Sequence, residues 1–251
     1  MDEVDLDRLA AAYLHRPASA ASIERAEEAG LSLERGAWVL DVGGGPGNHS
    51  AVWDRQGLNS IVLDPSAGML SYGTERNLRG VRGRSQAIPF RSGHFALVWL
   101  HLSIHYGDWR RAVDESVRVL SEHGRVEIWT LGPDHHERSM LAQWFPSVER
   151  IDNARFPSPD AIADHLAGLV PVVSVAHPVE RVVRASGSWL RAVEAGFIST
   201  LQLLPADERA AGIEAFRHAH PDFDEQIEYE LRFTRIVGRS SRRAGPRPAV
   251  Q

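Results

Sequence analysis

A cluster of alternating glycines near residue 45 constrains the fold of this chain more than any other feature. Gly43, Gly45 and Gly47 follow an apolar run that opens at Trp38 and precede Asn48–Gln56, a segment able to form a helix. The pattern predicts a buried parallel strand, a tight turn and a helix. Glycine allows positive-φ backbone and lets a ligand lie against bare peptide, while a helix N-terminus favours a carboxylate or a phosphate. We therefore expect a ligand site on this turn.

The spacing of the glycines indicates which ligand the turn binds. A dinucleotide-binding G-x-G-x-x-G motif would place glycine at position 48, where this chain has Asn48, and this disfavours an NAD-linked oxidoreductase. Asp41 stands two residues before Gly43 and completes the pattern D-x-G-x-G-x-G. The pattern resembles motif I of the class I S-adenosylmethionine-dependent methyltransferases. The resemblance implies that Asp41 and the three glycines contribute to a site for S-adenosylmethionine.

A second acidic residue, Asp64, ends the next predicted strand, Asn59–Leu63. It lies about twenty residues past the first glycine, where an acidic side chain can accept hydrogen bonds from both hydroxyl groups of a ribose. The segment Asp64–Leu70 reads D-P-S-A-G-M-L, which resembles the D-x-S-x-x-M-L stretch of the same family. The resemblance adds Pro65 and Met69 to the candidate cofactor contacts.

The predicted third strand, Val81–Ser85, departs from the family at one position. The family commonly has G-D-A-E-x-L-P-F here, with the aspartate bonded to the adenine amino group, whereas this chain has Arg84. Arginine only donates hydrogen bonds, so it cannot accept one from that amine. The backbone of Ser85 and the side chain of Gln86 could hold adenine instead. The alternative function is a non-catalytic or regulatory relative of the same fold.

Two histidines follow the predicted fourth strand, His94–Leu100. The family often has S-x-x-L-H-H in this place, and His105 matches the first histidine of that pair. When the acceptor is a hydroxyl or an acidic carbon, a base must remove its proton, and a histidine titrating near neutrality suits this task. His105 and His101 are therefore the candidate catalytic residues, and His101 is also a candidate cofactor contact. The alternative is that His105 only holds the backbone of its loop.

A metal site is a further alternative, because His101 and His105 could meet His135 and His136 at one edge of the sheet. Zinc takes such nitrogen ligands in tetrahedral geometry. No short metal motif such as H-E-x-x-H occurs in the chain. We therefore expect no metal, and the ordered motifs together resemble the ubiquinone and menaquinone C-methyltransferases.

Composition excludes several other classes of protein. All 28 basic residues are arginine, so the chain lacks the lysine that a P-loop or a pyridoxal enzyme requires. With a net charge of −5 and no cysteine, nucleic-acid binding, disulfides and thiolate catalysis are not expected. The chain starts with acidic residues and has no apolar stretch near the ~20 residues that cross a bilayer, which predicts a cytoplasmic protein without membrane contact. The expected partner is a small-molecule acceptor, and a homodimer is left open.

These patterns predict a single α/β domain with a doubly wound, seven-stranded, mostly parallel sheet of the Rossmann-like methyltransferase type. Two helical segments, Ser188–Thr200 and Ala206–His218, should join the segment after the fifth strand in a cap over the carboxyl edge of the sheet, where ligands bind in such folds. Tyr13 lies in a leading helix, where it either points into this cleft or is a packing residue of an amphipathic helix. The predicted parts are N-terminal helices at 1–35, a cofactor-binding core at 36–180, a helical cap at 181–225, a last strand at 226–238 and a disordered tail at 239–251.

Overall fold

The structure, a computed structural model, describes residues 5–7, 10 and 19–240. Most of the first predicted helix, including Tyr13, and the tail beyond Ser240 lie outside the described residues. The strands are β1 Trp38–Val42, β2 Asn59–Asp64, β3 Gly80–Arg82, β4 Phe95–His101, β5 Leu120–Leu131, β6 Val172–Ala176, β7 Val179–Ala185 and β8 Gln226–Arg239. The helices are α1 Ala20–Leu31, α2 Asn48–Arg55, α3 Ala67–Glu75, α4 Trp109–Arg118, α5 Met140–Trp144, α6 Ser147–Arg155, α7 Pro159–Ala167, α8 Ser186–Glu194 and α9 Ala206–Ala219, with short 3-10 turns at His136–Arg138 and Ser199–Gln202.

The strands form one sheet in the order β3-β2-β1-β4-β5-β8-β6, and β7 pairs with β8 outside this order. Neighbouring strands in the part of this order that runs from β3 to β5 are parallel, and β8 is antiparallel to β5, β6 and β7. The predicted α/β, mostly parallel sheet is confirmed. The predicted number of seven strands is wrong, because β7 occupies the start of the segment expected to be helical at 181–225 and makes an eighth strand. The last strand also extends to Arg239, which was assigned to the tail.

The two faces of the sheet bury different sets of side chains, as the alternation of a strand requires. In β4, Leu97 and Trp99 pack with α1 and α2, whereas Val98 and Leu100 pack with α4 and α7 on the opposite face. All four side chains are inaccessible to solvent. Helices on both faces leave the carboxyl ends of β1, β2 and β4 as the open edge of the sheet.

A separate apolar core holds the cap together. Helices α5, α6, α8 and α9 pack with one another and with the first half of β8. Trp189 and Phe216 lie at its centre, with ring centroids 4.3 Å apart, and both are almost fully buried. The helix expected at Ser188–Thr200 ends earlier, at Glu194, because Gly196 adopts a positive φ of 68° that breaks the helix. Within the described part of the chain, no helix combines the length and apolar character needed to cross a membrane.

Candidate active site

The glycine turn has the backbone geometry that its sequence predicts. Gly43, Gly45 and Gly47 have φ values of 67°, 55° and 77°, and Gly47 starts α2 in the left-handed conformation. A Cβ on Gly43 would lie 2.5 Å from the Cβ of Ser103, so packing requires glycine there. Among the described residues, the sulfur of Met69, at 3.6 Å, is the only atom within 4 Å of a Cβ placed on Gly45. Gly45 therefore presents bare backbone to open space.

The carboxylate of Asp64 is bonded directly to this turn. Its Oδ2 accepts a hydrogen bond from the backbone N–H of Gly45 at 2.9 Å, and its Oδ1 accepts one from Ser66 at 2.9 Å. Burial raises the pKa of Asp64, and the two backbone hydrogen bonds oppose that shift. Each carboxylate oxygen can accept more than one hydrogen bond, so both remain able to bind a hydroxyl group. The sequence thus predicted correctly that this turn and this acid lie side by side.

Asp41 supports the turn from beneath. Its side chain is 1% exposed and accepts a hydrogen bond from the Ser50 hydroxyl at 3.1 Å. A Cβ on Gly44 would lie 2.4 Å from the Asp41 carboxyl carbon, so the turn rests on this carboxyl group. Burial, with a smaller contribution from the charge of Asp64, raises the pKa of Asp41 to about 7.

The segment after β3 borders the same cavity. The strand ends at Arg82 rather than at Ser85, and Arg84 then pairs back on Ala87 in an isolated bridge. The Gln86 side chain donates from Nε2 to the carbonyl oxygen of Tyr106 at 2.6 Å. This bond fixes the orientation of the amide and turns its oxygen away from that carbonyl.

His101 ends β4 inside an aromatic cluster. Its ring centroid is 4.9 Å from that of His49 and 6.1 Å from that of Trp129. His49 shares a hydrogen bond of 2.7 Å with the hydroxyl of Ser22. Burial and the charge of Arg25 lower the pKa of His49 to about 4. The imidazole of His49 is therefore neutral and adds no positive charge to that of Arg25.

His105 lies on the loop that follows β4, with its ring stacked on Phe156 at 4.0 Å and close to Tyr106 at 4.1 Å. Neither ring nitrogen has a hydrogen-bond partner among the described residues, and both nitrogens are buried. Burial, followed by the charge of Arg155, lowers the pKa of His105 well below 6.5. The imidazole is neutral at physiological pH and is a weak base.

A single cavity of about 1670 Å³ extends from the glycine turn to the underside of the cap. Of the candidate cofactor-binding and catalytic residues, Gly47 alone is absent from its lining, because this glycine packs against the core. The others that line it are Asp41, Gly43, Gly45, Asp64, Pro65, Met69, Ser85, Gln86, His101 and His105. The structure therefore brings ten residues from four separate segments together around one space.

Sequence reasoning missed several charged residues that line this cavity. Arg25 in α1 forms an ion pair with Glu180 in β7 at 2.8 Å, and Asp152 and Arg155 in α6 lie 3.8 Å apart. No motif marks these positions, because α1, α6 and β7 lie far apart in the chain and meet at the cavity only in the folded protein. In the described residues, no three histidine or acidic side chains are grouped so that they could hold a metal ion.

The sheet order and the glycine turn have the architecture of the class I S-adenosylmethionine-dependent methyltransferase fold. Within it, residues 40–128 match the family described as a methyltransferase domain. The family resemblance predicted from the motifs is therefore confirmed.

Relatives and solved structures support the same assignment. The malonyl-[acyl-carrier protein] O-methyltransferase of Enterobacter lignolyticus is 34% identical over 142 residues, which are 55% of this chain and 56% of that protein. The demethylmenaquinone methyltransferase of Renibacterium salmoninarum is 30% identical over 93 residues, 36% of this chain and 39% of that protein. The crystal structure of YcgJ from Bacillus subtilis superimposes with a TM-score of 0.64 at 18% identity and covers 89% of this chain and 100% of its own. The chain thus spans about half the length, or less, of these two curated relatives.

Proposed function

We propose that the protein transfers a methyl group from S-adenosylmethionine to a small-molecule acceptor that has hydrophobic parts. The observation that carries this proposal is the hydrogen bond between the Gly45 backbone and Asp64, at one end of a cavity of about 1670 Å³. Pockets for single small ligands usually measure about 300–1,000 Å³. The cavity therefore has room for a cofactor and a second molecule together.

The residues present fit the cofactor. The open backbone at Gly45 would take its amino-acid end, and the free lone pairs of Asp64 would accept its two ribose hydroxyls. The Gln86 amide oxygen can accept from the adenine amine, since its nitrogen is already committed to Tyr106. S-adenosylmethionine supplies a methyl group already activated on sulfur. The chain contributes alignment of the two reactants, worth up to ~7–11 kcal/mol.

A cofactor-binding experiment tests this assignment. Asp64→Ala removes the ribose acceptors, so calorimetry should show that S-adenosylhomocysteine binds at least tenfold more weakly than to the wild type. Asp114→Ala, at an exposed acid on α4, is the matched control and should leave the dissociation constant unchanged. Equal binding by the Asp64 variant would contradict the ribose role. No binding by the wild type at millimolar ligand would contradict the function itself and favour the non-catalytic relative.

The acceptor is best sought with labelled cofactor. The names of the two relatives suggest two chemistries to screen: the free carboxyl group of a malonyl thioester, and the ring of a demethylated menaquinone. Transfer of the radioactive methyl group from S-adenosylmethionine to either compound would identify the acceptor class. The catalytic role of His105 and His101 stays a prediction. Because the pKa of His105 is lowered well below 6.5, this imidazole suits an acceptor that needs no strong base.

A further inference from the structure

The cap side of the cavity carries an excess of positive charge. From residue 139 onward, the charged side chains that line it are the arginines Arg155, Arg184 and Arg191 and the acids Asp152 and Glu180. Glu180 is already paired with Arg25 across the cavity, at 2.8 Å. Among the described residues that line this side, Asp152 is therefore the one acid left to balance three guanidinium groups.

Arg155 is held in this wall by neutral groups. Its side chain is 7% exposed, and it donates hydrogen bonds to the hydroxyls of Ser199 at 2.9 Å and Thr200 at 3.3 Å. Among the described residues, the carboxylate of Asp152 is the only one within 4 Å of it, at 3.8 Å. Asp152 accepts a shorter bond, 2.6 Å, from Thr200, and burial raises its pKa. The positive charge of Arg155 is thus only partly neutralised by the protein.

His105 adds a second, independent observation at the same place. The Arg155 guanidinium lies 5.8 Å from the centre of the Tyr106 ring, and that ring is 4.1 Å from the ring of His105, so the two groups are neighbours. Both buried nitrogens of His105 lack a hydrogen-bond partner within the described part of the chain. A neutral imidazole carries its proton on one of the two nitrogens, so this N–H can donate a hydrogen bond to an oxygen acceptor of a ligand. The incompletely neutralised charge of Arg155 and the unpartnered N–H of His105 therefore line the same cavity.

Building on the proposed function, we infer that the methyl acceptor carries a carboxylate, which Arg155 and His105 bind at the cap side of the cavity. A planar guanidinium matches a carboxylate with paired hydrogen bonds. A cationic amine would be repelled by the three arginines, and a neutral hydroxyl would leave the charge of Arg155 unmatched. The neighbouring wall is formed by Trp189, Phe197 and Ile198, so the body of the acceptor is apolar.

The test compares two probes that differ only in charge. Octanoate and octanamide are titrated by calorimetry at pH 7.5 into protein saturated with S-adenosylhomocysteine. The wild type should bind octanoate at least tenfold more tightly than octanamide. Arg155→Gln should lose this preference and bind both probes alike, while Arg155→Lys, which keeps the charge, should regain part of it.

Matched controls separate this inference from the proposed function. Arg150→Gln changes an exposed arginine on the same helix, α6, and should bind octanoate as the wild type does. Arg155→Gln should still bind S-adenosylhomocysteine normally, because the side-chain hydrogen bonds of Arg155 go to Ser199 and Thr200 and not to the candidate cofactor residues. Equal affinity of the wild type for the two probes, or no octanoate binding at millimolar concentration, would overturn the inference even if Arg155→Gln failed to fold. Undiminished octanoate binding by Arg155→Gln would overturn it too.

Discussion

At the scale of single residues, the buried carboxyl of Asp41 links the stability of the protein to pH. Its pKa is about 7 in the folded chain, against 3.8 for a free aspartate, chiefly because burial penalises the charged form. The folded state therefore holds a proton that the unfolded state releases above about pH 4. It follows that the contribution of Asp41 to stability declines as the pH rises through this window and reaches its least favourable value above pH 7.

Asp41→Asn should remove this pH dependence. Asparagine keeps an oxygen that can accept from Ser50, but it does not titrate. The free energy of unfolding of the variant relative to the wild type should rise between pH 5 and pH 8. The rise should be about 1.4 kcal/mol for each pH unit up to the pKa of about 7. Urea unfolding at the two pH values measures this. A difference independent of pH would show that Asp41 does not titrate in this range, and Asp114→Asn, at an exposed carboxylate, provides the comparison.

At the scale of secondary-structure elements, burial decides what the sequence reveals. β1 and β4 are covered on both faces, so their sequences are apolar apart from Asp41 and His101. The glycines that follow β1 adopt positive φ, which favours a turn. β7 was missed because it is half exposed, with Val183 57% accessible, and its pairing partner in β8 lies more than forty residues away. α6 was missed because its buried face includes the polar Asp152. The cofactor end of the site could thus be predicted, whereas Arg155 could not.

The cap helices pack around an aromatic cluster that is centred on Phe216. Phe216 in α9 is fully buried against Trp189 of α8 and Trp144 of α5, with ring centroids 4.3 Å and 5.3 Å away. Phe216→Ala should lower the free energy of unfolding by about 3–5 kcal/mol, because it leaves a cavity at this junction. Chemical denaturation followed by tryptophan fluorescence measures the change. Phe223→Ala, at a phenylalanine that is 48% exposed, should have a much smaller effect, and equal effects of the two would contradict this account of the cap.

At the scale of the whole molecule, two of the contacts that join the cap to the core lie beside the cavity. β8 is one of them, since Gln226–Arg232 pairs with β7 while Phe233–Arg239 pairs with β5. The ion pair of Arg25 and Glu180 is the other, and it connects α1 to β7 with both side chains about 90% buried. One continuous strand and one buried salt bridge thus hold the walls of the site in register.

The salt bridge should behave differently when one partner or both are replaced. Glu180→Leu alone leaves Arg25 buried without a carboxylate, and breaking such a pair costs about 3–5 kcal/mol of folding free energy. Arg25→Met with Glu180→Leu should recover most of this loss, because the Arg25 guanidinium already lies 4.6 Å from the centre of the Trp129 ring, a surface that methionine also packs against. Denaturant unfolding of the single and double variants measures the coupling. Losses that simply add would mean that the two charges do not interact, as expected for the exposed pair Arg181–Glu228.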